Sequence, residues 1–194
     1  LHHEQWLLGW EHFESRLNVD GMARGQWDVP RWDGRFEPNA SLLVHAEQGF
    51  GDTFQFMRFL PFVKERVGEV AFVVQRPLVP LLRGLDGADS VVGSADEVER
   101  YDFHLPLMSV PRILGQVFEE VRDCGVYFQA PAERSERWTA QVASMDGVKV
   151  GFGWCGNPAY REDYLRSMRI EEFAPILATP STSFVSLQKG ADHE

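Results

Sequence analysis

Ser41-Leu42-Leu43-Val44-His45-Ala46-Glu47-Gln48-Gly49-Phe50-Gly51-Asp52-Thr53 decides the fold of this chain. Residues 41–46 are a short, almost unbroken apolar run closed by a turn. Such a run marks a strand buried on both faces, as in a parallel sheet. The glycine-bearing turn leads into a mainly apolar stretch, 52–66, with the length and pattern of a helix. Strand, tight turn and helix in that order are the opening half of a βαβ unit.

The same alternation continues downstream. Strands are expected at 69–74, 90–92 and 103–105, with short helices at 77–85 and 110–114 and a strand or extended crossover at 126–129. A helix is expected at 131–144, with Pro131 in its first turn. Residues 148–154, 170–178 and 183–187 then read as strand, helix and strand. Upstream, Trp6, Trp10, Phe13 and Leu17 form one stripe of an amphipathic helix over 4–17. That helix either caps the main domain or closes a helical repeat array. Residues 18–40 lack a period and read as an irregular linker pinned by Trp27 and Trp32. The expected fold is α/β, with a Rossmann-like parallel sheet preceded by a helical segment and followed by a partial second Rossmann-like domain. The expected boundaries are 1–40, 41–145 and 146–194.

The turn after the first strand lies where open α/β sheets bind ligands. It does not fit a dinucleotide fingerprint. Gly49 and Gly51 match the first two glycines, but Phe54 occupies the third position, and Gln75 stands where an acidic ribose ligand is expected. Glu47 and Asp52 would also repel a pyrophosphate at the helix start. Asp52 suits two other tasks, which are compatible. It can cap the helix, and it can take the proton from an attacking hydroxyl. Gly49 and Gly51 are expected to let the backbone turn sharply and leave space in front of it.

A second candidate stretch runs from Gly153 to Arg169. Gly156, Asn157 and Pro158 form a turn, and Arg161, Arg166 and Arg169 follow. Such a loop can wrap a diphosphate with N–H groups and guanidinium forks. It can equally be a solvated loop whose arginines pair with Glu162 and Asp163. Lys189 follows the strand at 183–187. Arg58 can bridge to Glu47 or Asp52, or reach the cleft.

His45-Ala-Glu-Gln-Gly-Phe-Gly-Asp-Thr-Phe-Gln-Phe-Met-Arg-Phe-Leu-Pro61 resembles the signature of bacterial glycosyltransferases with N-terminal tetratricopeptide repeats. These are relatives of the ADP-heptose:lipopolysaccharide heptosyltransferases, which have two Rossmann domains (the GT-B type). Residues 9–16 resemble the closing helix of the repeat region, and Trp32-Asp33-Gly34 the linker. Residues 101–109 resemble the acceptor-facing stretch. Residues 150–158 and 184–190 resemble the first two strands of the donor domain.

The resemblance implies an inverting, metal-independent transfer from a nucleotide-sugar to the hydroxyl of a glycan or protein, with no further cofactor. It assigns Asp52 as catalytic base. Glu47, Gln48, Gly49, Gly51, His104 and Ser109 would line the acceptor side. Gly156, Asn157, Arg161, Arg166 and Lys189 would hold the donor. The donor domain is cut short, so a rival reading is a non-catalytic interaction module with a degenerate or truncated transferase domain.

A formal net charge of −10 argues against nucleic acid as the main partner. The two cysteines, Cys124 and Cys155, form no CxxC pair, which points to reduced core thiols in a cytoplasmic protein rather than a zinc site or disulfide framework. His2 and His3 read as surface residues, and the lack of an initiator Met reads as a processed or excised piece. No stretch has the length of a membrane span. The apolar strands at 148–154 and 183–187 need partners, which suggests docking on the first domain or a homodimer through these strands.

Overall fold

The computed structural model describes residues 6–18, 27–115, 125–158 and 160–189. His2, His3, Cys124 and residues 19–26 of the expected linker lie outside them. The chain divides into two compact units, Leu1–Gln129 and Ala130–Glu194. The division precedes the helix that was expected to close the first domain at 145.

The first unit holds a four-stranded parallel sheet of β1 (Glu37–His45), β2 (Val67–Val73), β3 (Ser90–Val92) and β4 (Phe103–Pro106), in the order β3-β2-β1-β4. The four residues from Leu42 to His45 are all buried, as expected for a central parallel strand covered on both faces. Leu42 and Val44, with Val70, Phe72 and Leu105, form the centre of the core, and Leu60, Val63 and Trp32 pack there too. Asp102 fixes the start of β4 by accepting hydrogen bonds from the Ser41 N–H and hydroxyl, at 2.9 and 3.0 Å.

β1 begins at Glu37, inside the stretch expected to be linker. Its first residues are half-buried or exposed and pair with β2 through an irregular register between Glu37 and Ser41, so they carry no apolar run. Residues 30–32 extend the sheet beside β4, where the Trp32 N–H donates to the His104 carbonyl at 3.0 Å.

α1 (Trp6–Phe13) continues as a 3₁₀ turn over Glu14–Asn18, and Trp10 and Phe13 pack on the core. The expected helix 52–66 is instead α2 (Phe50–Phe56), a 3₁₀ turn (Met57–Phe59) and α3 (Leu60–Lys64). Pro61 supplies the reason. It lacks an N–H, and its ring clashes with the carbonyl four residues back, so the chain tightens before it. The same pattern of a 3₁₀ turn followed by a short helix with proline in its first turn recurs in α4 (Val79–Leu82) and α5 (Val110–Ile113). Residues 126–129 form no strand, and Tyr127 and Phe128 pack on the core.

Strand order creates a switch point. From β1 the chain moves through β2 to β3 on one side, then returns to place β4 on the other side of β1. The loops leaving the carboxyl ends of β1 and β4 diverge there, which is where open α/β sheets form ligand crevices.

The second unit holds α6 (Ala132–Ala143), a parallel pair of β5 (Val148–Phe152) and β6 (Thr182–Ser186), and α7 (Ala174–Leu177). α7 has Pro175 in its first turn and follows a 3₁₀ turn, Ile170–Phe173. Phe152 is the centre of a small aromatic group with Trp154, Phe173 and Phe184. Among the described residues of this unit, Asp163 alone is fully buried, and Val148 and Leu187 are 64% and 69% exposed. No helix among the described residues is long and apolar enough to cross a membrane.

Candidate functional site

Asp52 lies in the first turn of α2, just past the carboxyl end of central strand β1. One carboxylate oxygen, Oδ2, accepts the Gly49 N–H at 2.9 Å and closes the helix start. Oδ1 meets no hydrogen-bond donor among the described residues. The residue lines a crevice of about 400 Å³ at the switch point. α1 contributes Trp6, Gly9, Trp10 and Phe13 to the wall, α2 contributes Gln55 and Phe56, and the two diverging loops contribute Gln48 and Met108.

The turn is held from the side by Gln75, at the end of β2. Its amide donates to the Gln48 carbonyl at 2.6 Å and accepts from the Thr53 hydroxyl at 3.0 Å. The position that an acidic ribose ligand occupies in dinucleotide folds therefore braces the loop. Phe54, at the third glycine position, packs on the core and on Phe128 with ring centroids 5.6 Å apart. Neither Gly49 nor Gly51 has the left-handed backbone expected for a sharp turn. Gly49 is an extended N-cap at φ −74°, and a side chain at Gly51 would meet open space.

Glu47 and Ser109 do not face the crevice as open acceptor groups. They belong to a network centred on Arg16, which the sequence did not single out. Arg16 grips Glu47 with two hydrogen bonds of 3.2 and 3.0 Å and donates to the Ser109 hydroxyl at 2.8 Å. It also reaches Glu14 at 3.0 Å and the Phe13 carbonyl at 3.2 Å. Glu47 accepts the Met108 N–H at 2.9 Å as well. The side chains of Arg16 and Glu47 are 7% and 3% exposed. Burial raises the pKa of Glu14, but hydrogen bonds from Arg31, Arg16 and Ser109 outweigh it and hold the group below the usual range. The network ties the segment after α1 to the ends of β1 and β4, the two strands that frame the crevice. A guanidinium fork matching a carboxylate at that spot leaves no signal in periodicity.

His104 is likewise turned to a packing role. Its ring stacks with Trp27 at 5.0 Å, and Trp27 stacks with His45 at 4.4 Å. The two imidazoles approach to 3.4 Å between Nδ1 of His104 and Nε2 of His45. Burial, then the neighbouring His104, pushes the His45 pKa down to about 3. Burial, then Arg31, lowers that of His104. Arg58 bridges to neither Glu47 nor Asp52. Its guanidinium lies over the Tyr127 ring at 4.2 Å.

In the second unit, Asp163 organises the arginine-bearing loop. It accepts from Arg166 Nε at 2.9 Å and from the Ser167 hydroxyl at 2.6 Å, and that hydroxyl accepts the Gly156 N–H at 2.9 Å. Gly156 sits in close approach to this pair: a Cβ there would lie 2.3 Å from Asp163 Oδ1 and 2.5 Å from Arg166 Nη2, so the two side chains would have to shift to admit one. Arg166 also lies over Tyr160, 4.9 Å from the ring centroid. Arg161 lines a cavity of about 580 Å³ together with Trp154, Tyr160 and Arg169. Gly156, Asn157, Arg166 and Lys189 do not line it, and Lys189 is exposed. Gln188 joins the strand ends by accepting the Trp154 and Cys155 N–H groups, both at 3.2 Å. Cys155 is a partly exposed free thiol rather than a core one.

Fold and crevice together define an α/β protein with a parallel sheet and a ligand-sized opening at the sheet's carboxyl edge. In sequence, the chain is similar to Protein FlbA of Caulobacter vibrioides, at 27% identity over 203 residues. The match covers 94% of this chain and 34% of the length of FlbA. No family model and no solved structure matches the chain.

Proposed function

We propose that the chain carries the acceptor side, and the beginning of the donor side, of an inverting glycosyltransferase. The acceptor hydroxyl oxygen attacks the anomeric carbon of a nucleotide-sugar. The bond from that carbon to the phosphate oxygen breaks, the nucleoside diphosphate leaves with the electron pair, and the hydroxyl proton passes to Asp52. The reading requires no metal, because cationic and N–H groups stabilise the leaving diphosphate. Gly156, Asn157, Arg161, Arg166 and Lys189 are the proposed donor groups, with Arg161 the one that lines a cavity.

The observation that carries the proposal is the place of Asp52. A carboxylate with one oxygen engaged in its own helix start lines an aromatic-walled crevice at the sheet's switch point. The resemblance of residues 45–61 to the glycosyltransferase signature supports the same assignment.

One observation favours a non-catalytic interaction module instead. The second unit has two paired strands among its described residues, and Val148, Ile176 and Leu187 stay exposed. The test is release of nucleoside diphosphate from a panel of nucleotide-sugars by the native polypeptide that contains this chain. Asp52→Asn lowers turnover by about 100-fold or more with the fold retained, in line with loss of a general base. Unchanged turnover overturns the assignment, and no turnover with any donor favours the interaction module.

A further inference from the structure

Gln75 stands where dinucleotide folds place an acidic ribose ligand, yet its amide is spent on the turn that carries Asp52. Its main chain is fixed on both sides. β2 pairs with β1 and with β3 as far as Val73. Beyond it, the Val74 N–H donates to the Val92 carbonyl at 2.9 Å, and the Gln75 carbonyl accepts the Leu78 N–H at 2.8 Å in the 3₁₀ turn that follows. The side chain therefore reaches the turn from a fixed strand end.

The partners decide which way the amide faces. The Gln48 carbonyl can only accept, so Nε2 meets it, and Oε1 is left to accept from the Thr53 hydroxyl. The Gln48 carbonyl and the Gly49 N–H belong to one peptide unit, and that unit is trans. A trans peptide is a rigid plane whose C=O and N–H point in opposite directions. One edge of this plane accepts from Gln75 at 2.6 Å, and the other donates to Asp52 Oδ2 at 2.9 Å. Gln75 and Asp52 thus hold opposite edges of a single plate.

A glycine beside the plate makes that hold necessary. Gly49 sits at φ −74°. Turning the plate over would carry this φ into the left-handed region, which glycine alone enters freely. The turned plate would withdraw the N–H from Asp52 and present a carbonyl oxygen in its place, an acceptor facing an acceptor. We infer that Gln75 is a positioning residue: its amide locks the Gln48–Gly49 peptide, and that peptide holds the Asp52 carboxylate at the crevice. For its effect on turnover, the inference rests on the reading of Asp52 as the base.

The lock is measurable without turnover. NMR of the full chain reads exchange of the Gly49 amide with water, against Leu43 and Val44 of β1 as the reference for an intact sheet. Gln75→Met removes both hydrogen bonds, and Gln75→Glu keeps the shape and an acceptor for Thr53 but offers no proton to Gln48. In both variants the Gly49 amide exchanges about tenfold faster relative to the reference. Thr53→Val leaves the peptide held and raises the rate by about threefold at most. In the native polypeptide that contains this chain, the two Gln75 variants lower kcat about tenfold with KM little changed, and Gln75→Met costs nothing further when Asp52→Asn is already present.

Gly49 exchange that stays at the parent rate in both Gln75 variants overturns the inference. A Thr53→Val effect as large as theirs does so too, because the brace then runs through the hydroxyl rather than the peptide. A Gln75→Met loss that persists in the Asp52→Asn background shows a route other than Asp52 and has the same consequence. Transfer that Asp52→Asn abolishes and the Gln75 variants leave untouched overturns this inference alone. A native polypeptide that transfers no sugar overturns the catalytic reading, and the exchange rates still decide whether Gln75 holds Asp52.

Discussion

Mild acid should loosen the first unit through His45. The ring is 3% exposed, covered by Trp27 and beside His104, with the charge of Arg31 near enough to act on it, and it stays neutral down to about pH 3. In the unfolded chain the same imidazole takes a proton near its ordinary value of about 6.5. Because the folded value is the lower one, the unfolded state binds the proton first. Stability is full above about pH 6.5 and falls as pH drops towards 3. At about pH 5.5, one unit below the unfolded value, the loss from His45 is about 1.4 kcal/mol. His104 shifts in the same direction and adds to it. Glu14 and Asp89 are held below the usual carboxylate range, so their contributions are lost only at lower pH, and this window isolates the histidines. Urea unfolding of the full chain followed by near-UV circular dichroism, at about pH 7.5 and about pH 5.5, reads the difference. His45→Gln should remove most of it. Equal stability at the two pH values, or an unchanged pH dependence in the variant, refutes the reasoning.

Arg16→Met strands the buried carboxylate of Glu47 and should cost the first unit about 3–5 kcal/mol, seen in urea melts, with Arg16→Met/Glu47→Leu recovering most of the loss. Gly156→Ala forces a methyl group against the Asp163–Arg166 pair and should cost the loop about 1–3 kcal/mol, read as faster amide exchange over residues 156–167 with the first unit unaffected. The exposed strand faces of the second unit should hold the chain as a dimer in light scattering, and a version ending at residue 129 should be monomeric. Identical mass behaviour of the two chains removes any role for β5 and β6 in self-association.

The apolar run at 41–46 was enough to locate the central strand, because burial on both faces leaves no polar alternation to confuse it. The strands at 90–92 and 103–105 were legible too, although Ser90–Val92 is only half-buried. Helix lengths were not. Pro61, Pro80 and Pro175 each interrupt an apolar pattern that periodicity alone carries onward, and each starts a short helix behind a 3₁₀ turn. At the candidate site, the helix-start position of Asp52 followed from glycine and aspartate spacing. The task of Glu47 did not, since its partner Arg16 lies 31 residues earlier and only the folded chain brings them together. Trp27 shows the same limit. It was expected to pin a linker, and the face it covers, His45 and His104, comes from two different strands.

The Arg16 network bears on how such chains can be recombined. The segment ahead of the sheet is not an exchangeable module. Joining the sheet of one homologue to the upstream segment of another would separate Arg16 from the Glu47 and Ser109 it fits, and Asp52 from the two tryptophans across the crevice. The smallest stretch that can be inherited intact therefore runs from Trp6 to Ser109. A crossover near residue 40, which looks harmless as a linker, divides the site in two.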